Sequence, residues 1–231
     1  MSRLAGILAV GLPIALALYA CTAGPRVIPT AFTPGILLEP QRPGDLGGPP
    51  PRKITDDGLK ITKDSEGFSS HLYLDAAHYC SIAYGHLVWR RPCNGTEPES
   101  FRKGLSIPEG EALLTADMLR AQRAIEQILT TSQELTDNQF SALCDFVYNV
   151  GGDHFRTSTL HSVLEARQFE QIPFQLRQWV WAGGKRYKGL AQRREREIAL
   201  FFKGSAVPKP RPGDTVSKEI DITVGELYGP T

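Results

Sequence analysis

Apolar residues recur at helical spacing through the middle of the chain. Leu114, Met118, Ala121, Ile125 and Ile128 fall three or four positions apart, which predicts a long amphipathic helix. Ser106-Ile107-Pro108-Glu109 opens it as a capping box with proline in the first turn. Thr136-Asp137-Asn138-Gln139 opens a second helix carrying Phe140, Leu143, Val147 and Tyr148. Further helical stretches are predicted near Thr159–Phe169, Phe174–Trp181 and Leu190–Phe202. Upstream, Asp56 or Asp57 caps a short helix through Leu59, Ile61 and Thr62, which Gly67 ends. Between Phe68 and Gly95 aromatic and β-branched residues alternate with Gly and Asn, the pattern of a small antiparallel sheet. The expected class is α+β: a short helix leading into a β subdomain, then a helical bundle.

The two ends read differently. Arg3 precedes an uncharged apolar run from Leu4 to Ala20, broken by Pro13, and Cys21 opens a polar segment. A charged start, an apolar centre and small residues near the end describe an export signal over residues 1–21. Residues 22–53 are rich in Pro and Gly without apolar period and predict an extended, disordered linker. The folded unit is expected over residues 54–205. Residues 206–231, with Pro208, Pro210 and Pro212, are expected to be a flexible tail without a domain.

Composition narrows the function. With 26 Lys and Arg against 25 Asp and Glu in 231 residues, the net charge of +1 argues against a nucleic-acid binder. The exception is residues 185–196, where Lys185, Arg186, Lys188, Arg193, Arg194 and Arg196 face only Glu195. Such a run is ordinarily a solvated helix face, and secondarily a surface for an anionic polymer. Of the four cysteines, Cys80 and Cys93 flank the hairpin-like stretch, and export would favour their pairing. Cys144, among Phe140, Leu143 and Val147, reads as a buried inert thiol. No metal site is expected, because no two cysteines are spaced as a ligand pair and the histidines are scattered.

Candidate chemistry gathers in one short segment. Glu66 precedes Gly67 at a predicted helix end, Asp75 follows nine residues later, and Ser81 lies six beyond that. A glycosidase needs two carboxyls flanking one bond, one protonated and one ionised, and a hydroxyl is useful for steering water. The negative end of a helix favours a protonated Glu66. Taken singly, Glu66 reads as a solvated helix-end residue, and Asp75 reads as a turn residue satisfying local backbone donors.

The surrounding residues supply the context. Ser65-Glu66-Gly67-Phe68, Tyr73-Leu74-Asp75 and Ser81-Ile82-Ala83-Tyr84-Gly85-His86 closely resemble the active-site signature of the phage-type lysozymes, the endolysin muramidase family. Asn138-Gln139-Phe140-Ser141-Ala142-Leu143, Phe146-Val147-Tyr148-Asn149-Val150-Gly151, Trp181-Ala182-Gly183-Gly184 and Arg193-Arg194-Glu195 continue the resemblance in the family's order. Two positions depart from it: Ser81 replaces the usual Thr and Ala83 the usual Gly. Serine keeps the hydroxyl but loses the methyl that restricts its rotamer.

The resemblance implies a lysozyme-like fold and a monomer without metal or cofactor. It also implies inverting cleavage of the peptidoglycan β-1,4 bond. Glu66 would be the acid, with Asp75 and Ser81 placing the water. Leu87, Tyr148 and Asn149 fall where the family lines its saccharide cleft, with Ser158 and Gln175 placed there too. His86 would be structural support, and Arg193 falls where an Arg pairs with the catalytic Glu. Local readings stand beside these: core aromatic for Tyr148, helix N-cap for Ser158, surface ion pairs for Arg193. The rival functions are a lytic transglycosylase or chitinase on a related scaffold, and a wall-binding protein that lost activity. Asp75 and Ser81 count against the transglycosylase, whereas Ser81 and Ala83 support the inactive binder.

Three routes are open to the N-terminus: ordinary signal cleavage, lipoprotein processing at Cys21, or a segment resembling the signal-anchor-release element of some endolysins. Each delivers the enzyme to the wall side of the membrane, by release or by tether.

Overall fold

The computed structural model describes residues 52–75, 78–209, 219–223 and 227–228. The expected export segment and nearly all of the linker lie outside the described residues. Among those described, no helix is long and apolar enough to cross a membrane.

A helix α1 (Asp56–Glu66) leads into three antiparallel strands, β1 (Ser69–Leu74), β2 (Cys80–Ala83) and β3 (His86–Trp89), paired in that order. The helical part follows with α2 (Glu99–Arg102), α3 (Ile107–Ile128), α4 (Asp137–Val150), α5 (Gly152–Arg156), α6 (Thr159–Glu165) and α7 (Ile172–Arg177). Strands β4 (Trp179–Ala182) and β5 (Lys185–Arg186) then precede the last helix, α8 (Lys188–Phe201). The α+β class expected from residue pattern is the observed one.

Local sequence explains most of these elements. Thr55, in extended backbone, caps α1 by accepting the Gly58 N–H at 3.2 Å. Asp56 and Asp57, the expected caps, lie inside the first turn, where their charge complements the helix dipole instead. Gly67, at a positive φ of 72°, ends the helix as expected, its N–H returning to the Lys63 carbonyl. The expected capping box at Ser106 forms, with Glu109 accepting its N–H at 2.7 Å, and a second one opens α4, where Gln139 accepts the Thr136 N–H at 2.9 Å.

The core is built around α4, whose residues from Phe140 to Val150 are all buried between α1, α3 and α8. All five apolar positions that predicted α3 face this core. A smaller cluster of Cys80, Ile82 and Val88 fills the β subdomain. There Cys80 and Cys93 are joined as a disulfide, while Cys144 is free and buried in the main core.

Three expectations are corrected. The helix expected through Trp181 stops at Arg177, and Trp179–Ala182 is a strand. Trp-Val-Trp suits a pleated surface, and strand partners on both sides override the helical spacing. The helix expected to reach Phe169 stops at Glu165, and Arg167 beyond it has a left-handed φ of 55°. The stretch after residue 205, expected to add no element, supplies β6 (Glu219–Asp221) and β7 (Leu227–Tyr228). Strand β6 pairs parallel with β4, and the Asp221 carboxylate accepts the Gly183 and Gly184 N–H groups at 3.2 and 2.6 Å. Ile222 is fully buried beside it.

Gly58 marks the closest approach of α1 to α4. A Cβ there would stand 2.7 Å from the Ser141 Cβ and 2.8 Å from the Ile54 Cγ2. Helix propensity alone favours alanine by about 1 kcal/mol. Overpacking reverses the sign, and Gly58→Ala should destabilise the fold by about 1–3 kcal/mol in urea denaturation. A gain in stability would show that α1 shifts freely against α4.

Candidate active site

Glu66 occupies the last position of α1, and only 6% of its side chain is accessible. Arg193 of α8 donates to it, Nη1 to Oε1 at 2.7 Å. The same guanidinium turns its Nε and Nη2 to Asp145 of α4, at 3.0 and 2.9 Å. Thr62, one helical turn before Glu66, donates to Asp145 at 2.6 Å. Three helices therefore meet on one buried arginine.

The electrostatics separate the two carboxyls. Burial pushes Glu66 above its ordinary range; the charge and hydrogen bond of Arg193 oppose this, and the Asp145 charge adds to it. Desolvation thus outweighs the helix-end effect inferred from sequence. Burial also works against ionised Asp145, but Arg193, then Glu197 and Thr62, outweigh it and hold that carboxyl below its ordinary range. The surroundings therefore push the two carboxyls in opposite directions, Glu66 up and Asp145 down.

Asp75 follows β1 in a tight turn. Its Oδ1 accepts the Tyr79 N–H at 2.9 Å, its backbone N–H donates to the Tyr79 carbonyl at 3.0 Å, and its carbonyl accepts from His78 at 2.9 Å. The turn role read from sequence is therefore real, and it leaves Oδ2 to accept from the Ser81 hydroxyl at 3.2 Å. Tyr73 pairs with Ser81 across β1 and β2. Burial, then the charges of Glu66 and Asp75, push the Tyr73 phenol upward. Tyr73 thus lies within electrostatic reach of both Glu66 and Asp75.

The remaining candidates divide. His86 binds Asp117 of α3 through Nδ1 at 2.8 Å, which ties the start of β3 to the helical part. Leu87 is buried opposite Ser81 on β3. The Tyr148 hydroxyl donates to the Tyr84 carbonyl at 3.3 Å, and burial and then the Glu66 charge push its phenol upward. Asn149 is fully enclosed and accepts from Arg194 Nη2 at 2.7 Å. Ser158 is the N-cap of α6, accepting the His161 N–H at 3.1 Å. Gln175 accepts from Gln178 at 3.2 Å within the α7 region. Ser158 and Gln175 thus have local partners of their own.

Two readings of the basic run fall. Arg193 and Arg194 are fully buried, so neither makes a surface ion pair nor belongs to a solvated face. Tyr73, Asp117, Asp145 and Glu197 were not singled out from sequence. For Asp145 a signal was available, since one acid in the apolar run Leu143-Cys144-Asp145-Phe146-Val147 requires a buried cation. Among the described residues, the sulfurs of Cys80 and Cys93 and the carboxylate of Glu97 lie within 4.8 Å of one another. The disulfide consumes both thiols, and Glu97 takes the Asn94 and Gly95 N–H groups at 2.6 and 2.9 Å. That group is not a metal site.

Residues 63–197 match the family described as Phage lysozyme. The chain is 33% identical over 152 residues to the SAR-endolysin of Bacteriophage PS119, covering 64% of this chain and 80% of that one. It is 31% identical over 156 residues to the endolysin of Bacillus phage B103, covering 66% of this chain and 55% of its relative. It therefore spans little more than half the length of that endolysin. Among solved structures, the muramidase domain of SpmX from Asticaccaulis excentricus is similar with a TM-score of 0.55 and 26% identity. That likeness covers 65% of this chain and 98% of the domain.

Removing the arginine would strand Asp145 in the core. Arg193→Met should cost about 3–5 kcal/mol in urea denaturation, since it leaves a buried charge without its partner. Adding Asp145→Leu should recover much of that loss. Equal destabilisation in the single and double variants would show that Arg193 contributes by packing alone.

Proposed function

The chain belongs to the phage lysozyme family, and we propose that it is a muramidase hydrolysing the β-1,4 bond between N-acetylmuramic acid and N-acetylglucosamine in peptidoglycan. Glu66 protonates the leaving glycosidic oxygen. Asp75 and Ser81 orient and activate a water on the opposite face of the sugar, which inverts the anomeric centre. The observation that carries this reading is the Ser81–Asp75 hydrogen bond at 3.2 Å, with a buried Glu66 of raised proton affinity and Tyr73 feeling the charge of both carboxyls. Serine keeps the family's water-steering hydroxyl in place, which favours activity over a wall-binding role alone.

Leu87, Tyr148, Asn149, Ser158 and Gln175 are the positions proposed for the saccharide path. Support is strongest for Tyr148, through its electrostatic contact with Glu66, and for Leu87, opposite Ser81. The substrate is peptidoglycan and the working unit a monomer.

The chemistry depends on the proton of Glu66. Because its folded-state pKa is raised, the acid stays loaded above the ordinary carboxylate range, and activity falls as pH rises through the raised value. Protonated Glu66 likewise favours the folded state, an effect complete below its unfolded pKa and lost over the same rise.

Glu66→Gln should abolish lysis of purified wall, by about a hundredfold or more, while circular dichroism shows an intact fold. Ser81→Ala should lower the rate and Ser81→Thr should keep or raise it. Appreciable lysis by folded Glu66→Gln would exclude the mechanism. A fully active Ser81→Ala would assign the water to another group. Anhydromuramic ends among the products would identify a transglycosylase instead.

The enzyme acts outside the inner membrane, with residues 1–53 as its export and tethering segment. Support comes from the apolar run Leu4 to Ala20 and from the name SAR-endolysin carried by several relatives. Fractionation of cells expressing the full chain, with and without residues 1–21, tests this. Full-length protein recovered from the cytoplasm, with lysis indifferent to residues 1–21, would exclude it.

A further inference from the structure

One face of the three-stranded sheet carries a row of side chains that the apolar packing of the β subdomain does not use. Tyr73 of β1 stands opposite Ser81 of β2, and Ser81 stands opposite Leu87 of β3. Directly opposed residues of antiparallel strands project to one face, so the three form a row across the sheet. Asp75 joins it just beyond β1, its Oδ2 accepting from the Ser81 hydroxyl at 3.2 Å. Leu72, the neighbour of Tyr73, projects the other way and packs on Cys80, Ile82 and Val88. Leu87 is buried but belongs to neither apolar cluster. Ser81 is buried too, whereas Tyr73 keeps part of its surface open.

The acid lies against the same sheet. A Cβ on Gly85, in the turn between β2 and β3, would stand 3.6 Å from Glu66 Oε2, while Oε1 is taken by Arg193. Tyr73 is within electrostatic reach of Glu66 and Asp75 together: burial, then the Glu66 charge, then the Asp75 charge push its phenol upward. The phenol therefore keeps its proton and remains a hydrogen-bond donor at neutral pH. It brings no charge of its own. A cation in this place would lower the proton affinity of Glu66, which the acid role does not tolerate.

We propose that Tyr73 is a substrate-contacting residue: its ring forms part of the floor under the sugar at the scissile bond, and its hydroxyl donates a hydrogen bond to that sugar. This rests on the reading of Glu66, Asp75 and Ser81 as the groups that flank the bond, and adds a residue that holds the saccharide among them. A sugar that meets Glu66 on one side and a water held by Asp75 and Ser81 on the other passes over the Tyr73–Ser81–Leu87 row. Pyranose rings present C–H groups on their faces and oxygens at their rims. Tyrosine answers both with an apolar ring and a polar tip, and Leu87 extends the apolar part of the row beyond Ser81.

The test is saccharide binding by the full-length protein carrying Glu66→Gln, in which the ligand stays intact. The probe is the tetrasaccharide of alternating N-acetylglucosamine and N-acetylmuramic acid released from purified wall. Adding Tyr73→Phe, which removes the hydroxyl and keeps the ring, should lower the affinity about fivefold, the worth of one neutral hydrogen bond. The urea midpoint should stay where it is. In the Glu66→Gln protein with labelled tyrosine, the Tyr73 Cζ resonance should move when the tetrasaccharide is added. That measurement decides the matter if Tyr73→Phe does not fold. Equal affinity in folded Tyr73→Phe, or a Tyr73 resonance indifferent to the saccharide, overturns the proposal. A lowered midpoint with unchanged affinity would make Tyr73 a packing residue only and overturns it as well. Lysis retained by Glu66→Gln would sink the muramidase reading whatever Tyr73 does, so the two failures are distinguishable.

Discussion

The contact on which the site depends is the fork of Arg193, fixed between Glu66 of α1 and Asp145 of α4. A buried guanidinium tolerates its surroundings only when its donors are taken up, and here three of them meet carboxyl oxygens. The same bonds hold α8 against α1 and α4 and define where the Glu66 side chain points. Stability and chemistry are thus joined at one residue. The arginine alone would lower the proton affinity of Glu66. Burial and the nearby negative charge of Asp145 outweigh it, so Glu66 is oriented while its proton affinity stays raised.

The second half of the site belongs to the β subdomain and is held by different means. Asp75 is fixed by backbone donors in its turn, Ser81 by strand pairing, and the subdomain is closed by the Cys80–Cys93 bridge. His86, through Asp117, ties this unit to α3. A carboxylate fixed in a turn, with a hydroxyl on its second oxygen, suits a group that must aim a water molecule. The helical unit supplies a carboxyl whose proton affinity burial raises, and the β unit one set in a polar turn. Different surroundings for two similar groups are what general acid and water-activating roles require.

The end of the chain adds a feature outside the span that matches the family. Strand β6 joins β4, and Asp221 caps the Gly183-Gly184 turn. Residues expected to end a helix become the centre of a four-stranded sheet. The partner strand lies 41 residues further along, pairing Trp179 with Ile220, so nothing in the local pattern announced it.

What the sequence determined by itself was whatever depends on neighbours along the chain. The helical period of α3, the capping boxes at Ser106 and Thr136, the stop at Gly67 and the change of pattern after Phe68 were all legible, because each is a local backbone preference. The spacing of Glu66, Asp75 and Ser81 marked the candidate chemistry for the same reason. Tertiary structure decided the partners. Arg193 looked like part of a solvated basic run, but it meets Asp145 and Glu66 across 48 and 127 residues. Whether a charge is solvated or buried is set by which helices close over it, and a one-dimensional pattern does not carry that information. Asp145 acquires its importance the same way: its environment is made by distant segments, and its effect on Glu66 exists only once those segments have packed.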